Sequence, residues 1–296
     1  MFPKVPDQHK VGRPLIPTGL GVFYVLTATV YLFVIYFSNR VFSSGLDTSF
    51  NGVSAALTLA VCILFGGFMG LLDDFMDLKW RYKAFMPLIA ALPLMYFALE
   101  NPLLRTSITI PFVGMVDFGS SYIFLMIPLI VMIVTNTVNQ LAGLNGLETL
   151  CPSIVIVGLM VFSPTSFSIL MVGPLLFWLV LTYFNFKGKI FVGNSGSFAI
   201  GITIAAFAIL SDQKVNLLIS ILPYIFNSSI ILLSIFFVRK KASVTFDGQK
   251  LCSDSRKSLV TTITYHRPLT ERKVVIIISL LVALFTLLGA LVQVLS

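Results

Sequence analysis

Nine apolar runs, most of them near twenty residues long and almost free of charge, fill this chain of 296 residues from position 20 to its end. A helix of about 20 apolar residues crosses the ~30 Å hydrocarbon layer of a bilayer. The runs lie at 20–38, 52–72, 84–99, 121–138, 147–163, 166–185, 195–210, 215–238 and 274–295, and the third and seventh are short. The chain is therefore expected to be an all-α polytopic membrane protein with about nine transmembrane helices, forming one domain over 1–296. Composition closes off the soluble alternative, since 57% of residues are hydrophobic and only 11% are charged, against about 25% in a soluble domain. Residues 1–19 are polar and proline-rich and lack the apolar stretch of a cleavable signal peptide.

In a chain of this kind a net charge of +8 is a topology signal, not a mark of nucleic-acid binding. With the N-terminus in the cytoplasm, 17 of the 20 Lys and Arg fall on inside segments, leaving Arg40, Arg105 and Lys214 outside. Nine of the 17 lie in 239–273, which reads as a basic cytoplasmic loop. Residues 105–117, with Pro111 and Gly114 among β-branched residues, read as a short external hairpin.

A transporter hides ionisable groups at mid-span; here the polar residues collect at the cytoplasmic ends. Asp73 and Asp74 close the second span, where two adjacent carboxylates oppose the helix dipole and repel each other. That arrangement calls for a cation or a metal, or for plain neutralisation by Lys79, Arg81 and Lys83. Asp77 reads as an ordinary loop acid. Asn136 and Asn139, three apart, share a helix face, and Gly143, Asn145 and Gly146 then break the helix and let backbone approach a ligand. Before the seventh span, Phe191, Gly193, Asn194 and Ser195 offer either a helix start suited to phosphate or a simple N-cap. The basic loop, with Arg239 and Lys241, fits a polyanionic substrate or a positive-inside anchor equally well. Acids, amides and cations on one face suit phosphoryl transfer at the membrane, with a lipid phosphate meeting a soluble nucleotide.

At five segments the sequence resembles the polyprenyl-phosphate N-acetylhexosamine-1-phosphate transferases, and most closely their eukaryotic and archaeal branch, which acts on UDP-GlcNAc and dolichyl phosphate. The segments are DQHKVGRPLIPTGLG, LLDDFMDLKWRYK, TNTVNQLAGLNGLE, FNFKGKIFVGNSGSF and RPLTERK. The resemblance implies a reaction in which the lipid phosphate attacks the β-phosphorus of UDP-GlcNAc, UMP leaves, and GlcNAc-diphospho-lipid stays in the membrane. It implies Mg²⁺, with Mn²⁺ as a substitute, and an active site facing the cytoplasm of the endoplasmic reticulum or of a prokaryotic cell. It also implies sensitivity to tunicamycin and, since family members often pair, a homodimer. By motif, Asp73 and Asp74 are the essential aspartates, Lys83 neutralises phosphate charge, and Lys10 belongs to the donor site. Asn139 and Asn194 ligate the metal with support from Asn136, Gly143 and Phe191 sandwich the uracil, and Asn145 hydrogen-bonds it. Gly193 belongs to the same donor-side segment, and Arg239 and Lys241 stand where the family grips the pyrophosphate or sugar.

Three departures bear on that reading. Members usually have ten spans, one ahead of the Lys10 segment, where nine are counted here. The family's Arg-His-Arg loop motif has only a loose counterpart in Arg239-Lys240-Lys241. The metal-binding aspartate of the family's FVGD motif is Asn194, and an amide brings no negative charge to a cation. The competing readings are a bacterial-type phospho-sugar transferase, a transporter, and a catalytically weakened scaffold. An aromatic prenyltransferase using Asp73, Asp74 and Asp77 is a fourth; it would need a second acidic helix, and Asp7, Glu148, Asp247, Asp254 and Glu271 read as scattered.

Overall fold

The computed structural model describes residues 2–110, 114–238 and 243–295. Four antiparallel hairpins punctuate a helical chain: β1 (Lys4–Pro6) with β2 (Leu15–Pro17), β3 (Ser49–Phe50) with β4 (Val53–Ser54), β5 (Ser107–Ile110) with β6 (Gly114–Asp117), and β7 (Thr245–Phe246) with β8 (Leu251–Cys252). The third is the hairpin expected within 105–117, and residues 111–113 lie outside the described residues. The other three were not anticipated, because strands of two or three residues carry no readable alternation.

The helices are α1 (Gly21–Phe42), α2 (Ala55–Met76), α3 (Trp80–Phe85), α4 (Pro87–Ala90), α5 (Leu92–Glu100), α6 (Ile127–Gln140), α7 (Leu147–Val161), α8 (Thr165–Phe186), α9 (Gly193–Leu210), α10 (Lys214–Ser220), α11 (Leu222–Leu233), α12 (Leu259–Ile263) and α13 (Glu271–Leu295). Prolines explain the broken ones. A proline removes one backbone donor and crowds the carbonyl four residues earlier. Pro87 and Pro93 stand where α3, α4 and α5 divide the third span, Pro128 follows the π-helical turn Tyr122–Met126, and Pro223 follows the 48° bend between α10 and α11.

Among the described residues, seven helical segments are long and apolar enough to cross a membrane, and the bent pair makes an eighth. The run expected at 147–163 is a shorter apolar helix of 15 residues, so among the described residues a count of nine full-length spans is not confirmed. The outward faces are apolar, as Phe23, Leu26, Val30, Phe33 and Phe37 on α1 show. Such a belt suits lipid and not water.

At the centre lies α9. Its span is 89% buried inside protein, against 33–61% for the other six. It packs most extensively along α2, and also against α6 and α1. Backbones approach closely because glycines face one another: a Cβ on Gly70 of α2 would lie 2.1 Å from the carbonyl oxygen of Asn194, and one on Gly21 of α1 would lie 2.1 Å from Cα of Gly196. Small residues at helix crossings are the usual way apolar helices associate in lipid.

Because the atoms met at Gly70 are backbone, Gly70→Ala must push α2 and α9 apart. It should destabilise the protein by about 1–3 kcal/mol, read as a lowered midpoint of thermal unfolding in detergent.

Candidate active site

The last turn of α2 resolves its two adjacent acids in opposite directions. Asp73 is buried, and its Oδ1 is ion-paired with the Lys83 ammonium at 2.8 Å and accepts the Leu78 N–H at 3.0 Å. Its Oδ2 is buried with no donor. Asp77 ends α2 with φ +44°, donating its N–H to the Asp73 carbonyl, and its exposed carboxylate stands 3.6 Å from Lys83. Asp74 instead reaches α9, where Oδ1 accepts the Asn194 N–H at 2.9 Å and Oδ2 the Ser195 N–H at 3.0 Å. The dipole of α9 is positive at this end, which favours the carboxylate. The helix start that the sequence offers to a phosphate is thus taken by Asp74. Gly193, with φ +72°, permits the approach, since a Cβ there would lie 2.9 Å from Asp74 Oδ2 and from Gly19.

The same turn of α9 meets the end of α6. Asn139 donates from Nδ2 to Asn194 Oδ1 at 3.1 Å and to Ser197 Oγ at 2.8 Å. Asp74, Asn194 and Asn139 therefore form one continuous chain of contacts at one end of the bundle. Asn136 does not join it. Its amide donates to the Ala84 carbonyl at 3.0 Å and to Met132 of its own helix, which ties α6 to the segment carrying Lys83.

A second cluster gathers around Asn145, between α6 and α7. Its backbone N–H and its Nδ2 donate to Glu271 Oε1 at 2.8 and 3.0 Å, and Nδ2 also donates to Asp7 Oδ2 at 2.9 Å. Lys10 pairs with Asp7 at 3.1 Å and donates to the Gly188 carbonyl at 3.1 Å. Burial works against the Asp7 charge, but the hydrogen bonds from Asn145 and the His9 N–H, with the Lys10 ammonium, hold its carboxyl below the ordinary value. The acids that read as scattered are not all so: Asp7 and Glu271 converge here. Gly143 is exposed with φ +106°, and no atom lies within 4 Å of where its Cβ would stand. Phe191 is half-buried, with its backbone bonded to Pro17 and Leu20. Arg239 and Lys241 lie outside the described residues.

Sequence reasoning also passed over Asn185. This buried side chain near the end of α8 accepts from the Gly146 N–H and Thr149 and donates to the Ile190 carbonyl, fixing the loop that carries Lys187 to Phe191. Its only sequence signal was a polar residue inside an apolar run.

The donor set is compatible with a hard divalent cation. Mg²⁺ at phosphate-transfer sites takes one or two carboxylates and completes its shell with water and substrate phosphates. Asp73 Oδ2 is an acceptor without a donor, and Asn194, whose backbone N–H meets Asp74, carries an amide oxygen that accepts from Asn139. Among the described residues no three His, Cys, Asp or Glu side chains gather as a ready-made cage.

The sequence is similar to known proteins. The sequence profile of glycosyl transferase family 4 matches residues 54–212, from the start of α2 to the end of α9. A Saccharolobus solfataricus protein, provisionally named UDP-N-acetylglucosamine–dolichyl-phosphate N-acetylglucosaminephosphotransferase, is 27% identical, the match covering 97% of this chain and 87% of its own length. The Dictyostelium discoideum enzyme of the same name is 30% identical over 75% of this chain, which spans 62% of that relative. A phospho-N-acetylmuramoyl-pentapeptide-transferase of Streptococcus agalactiae is 28% identical, over 75% of this chain and 70% of its own. The profile covers more than half of the sequence, including both acids of α2 and both amides at α9, and the chain belongs to glycosyl transferase family 4.

Proposed function

We propose that this protein transfers GlcNAc-1-phosphate from UDP-GlcNAc to dolichyl or polyprenyl phosphate, releasing UMP. The product, GlcNAc-diphospho-lipid, is the first lipid-linked intermediate of protein N-glycosylation. The observation that carries the reading is the convergence of Asp73, Lys83, Asp74, Asn194 and Asn139 at one end of a membrane bundle. The names of the archaeal and Dictyostelium relatives support these substrates.

The geometry supports a division of work between the two aspartates. Both oxygens of Asp74 are committed to the start of α9, so Asp74 holds Asn194 in place. Asp73 keeps Oδ2 uncommitted beside Lys83, so Asp73 positions the lipid phosphate and takes its proton, and Lys83 offsets the phosphate charge. The phosphate oxygen then attacks the β-phosphorus, and the bond to the UMP oxygen breaks. Lys10 stands on the donor side with Asn145. Mg²⁺, held by Asn139 and Asn194, would neutralise the diphosphate.

Purified protein with Mg²⁺, UDP-GlcNAc and polyprenyl phosphate should release UMP. Asp73→Asn should lower kcat by at least roughly 100-fold. Asp74→Asn should abolish turnover and also lower the unfolding midpoint, because it weakens the cap on α9. Asn194→Asp should keep or raise activity and reduce the Mg²⁺ needed for half-maximal rate. If neither wild type nor Asn194→Asp releases UMP, the chain is a scaffold and not an enzyme.

The charge distribution supports a site that faces the cytoplasm, in an endoplasmic reticulum or prokaryotic cell membrane. Cys62 and Cys151 are buried in the bundle, and Cys252 lies in the basic loop. A membrane-impermeant maleimide added outside intact cells, or added to the cytoplasmic side of sealed microsomes, should therefore distinguish the faces through Cys252 alone. Labelling of intact prokaryotic cells would reverse the orientation. Tunicamycin at saturation should raise the thermal midpoint if the donor pocket is intact.

A further inference from the structure

Asn145 is held in a manner that its own chemistry does not require. Ionised carboxylates can only accept hydrogen bonds, and two of them, Asp7 and Glu271, face its Nδ2 at 2.9 and 3.0 Å. Turning the amide over would set Oδ1 against both acids, so the side chain has one orientation. Its Oδ1 is thereby left buried with no donor, and an unmet buried acceptor is unfavourable. Gly188 makes room for Lys10 beside this oxygen. A Cβ there would lie 3.3 Å from Oδ1 and would collide with the Lys10 ammonium. Asn145 Oδ1 is therefore an acceptor of fixed direction without a donor, two residues beyond the exposed Gly143.

We infer that Asp7 and Glu271 are specificity-determining positioning residues: by fixing Asn145 Oδ1 as an acceptor, they select a nucleobase that presents an N–H at ring position 3 and reject one that presents a lone pair there. The inference rests on the reading of a uridine diphosphate sugar as donor. Uracil carries a proton on N3 and cytosine does not, so cytosine would set lone pair against lone pair. A site built to bond a donor discriminates strongly against the analogue that lacks it. Neither acid touches the base; both act through the amide.

Binding of UDP, CDP and N3-methyl-UDP to the full-length protein with Mg²⁺, by isothermal titration, tests this. Wild type should prefer UDP over each of the other two by at least roughly tenfold. In Asp7→Asn/Glu271→Gln, amides replace both acids and can offer Asn145 either a carbonyl or an N–H, so Asn145 can turn. CDP should then tighten by roughly fivefold or more while UDP weakens by less than about threefold. Damage to the fold would weaken both nucleotides together, so the gain for CDP is diagnostic. Should the double variant not fold, Asp7→Asn and Glu271→Gln tested singly should each narrow the preference for UDP over CDP, and an unchanged preference in both overturns the inference. Wild type that binds UDP and N3-methyl-UDP equally, or a variant that keeps the original preference, overturns the inference and leaves the proposed function standing. Wild type that binds no UDP removes both.

Discussion

The Asp74 carboxylate ends one helix of this molecule and begins another. A carboxylate at the C-terminus of α2 faces the negative end of that helix's dipole, an unfavourable position. It becomes favourable only because the N–H groups at the start of α9 stand 2.9 and 3.0 Å away. That proximity requires the two helix axes to pass within backbone contact, which Gly70 and Gly193 allow. With α9 pinned there, Asn194 is delivered to Asn139 and Ser197 is bonded to the same amide. The site is a product of helix packing, and its residues are as far from one another in sequence as the helices they sit on.

This explains what was legible beforehand and what was not. Apolar runs are local properties, so the membrane class and most span positions could be read directly, as could the Asp73–Lys83 neutralisation within one short segment. The breaks in the third and eighth spans were also written in the sequence, at Pro87, Pro93 and Pro223, but a reading by hydropathy averages over them. Asp74 as a cap was invisible, because caps are sought within a few residues of a helix start and this one lies 120 positions away. Asp7 and Glu271 were set aside as scattered for the same reason, since they meet Asn145 across 138 and 126 positions. Asn136 shares a helix face with Asn139 but bonds through Nδ2 to the Ala84 and Met132 carbonyls, because shared helical facing does not say which neighbour each amide meets.

Charge placement at the other end of α9 follows the same logic. Arg105 and Lys214, two of the three basic residues assigned outside, both reach Asp212, at 3.8 and 2.8 Å. Lys214 is almost wholly buried, also lies over the Tyr122 ring at 4.6 Å, and donates to the Arg105 carbonyl. A buried ammonium is tolerable only when fully paired, and here an acid, a carbonyl and an aromatic face satisfy it. This cluster ties the β5–β6 hairpin to the far end of the central helix while the aspartates fix the near end.

Asn194 can be understood within the same electrostatics. An aspartate at this position would set a second carboxylate beside Asp74 at one helix start, and like charges so close raise the free energy of both unless a cation lies between them. The amide removes that repulsion and accepts from Asn139 without any ion, so the site holds its shape through neutral hydrogen bonds. The consequence falls on the cation. If Mg²⁺ serves the proposed transfer, then with one negative charge fewer more of the charge that attracts it would have to come from the diphosphate of the donor. Such a site would gather metal and nucleotide together and would not store the metal beforehand. Order of binding, and not merely strength, is then what the exchange of one oxygen for one nitrogen changes.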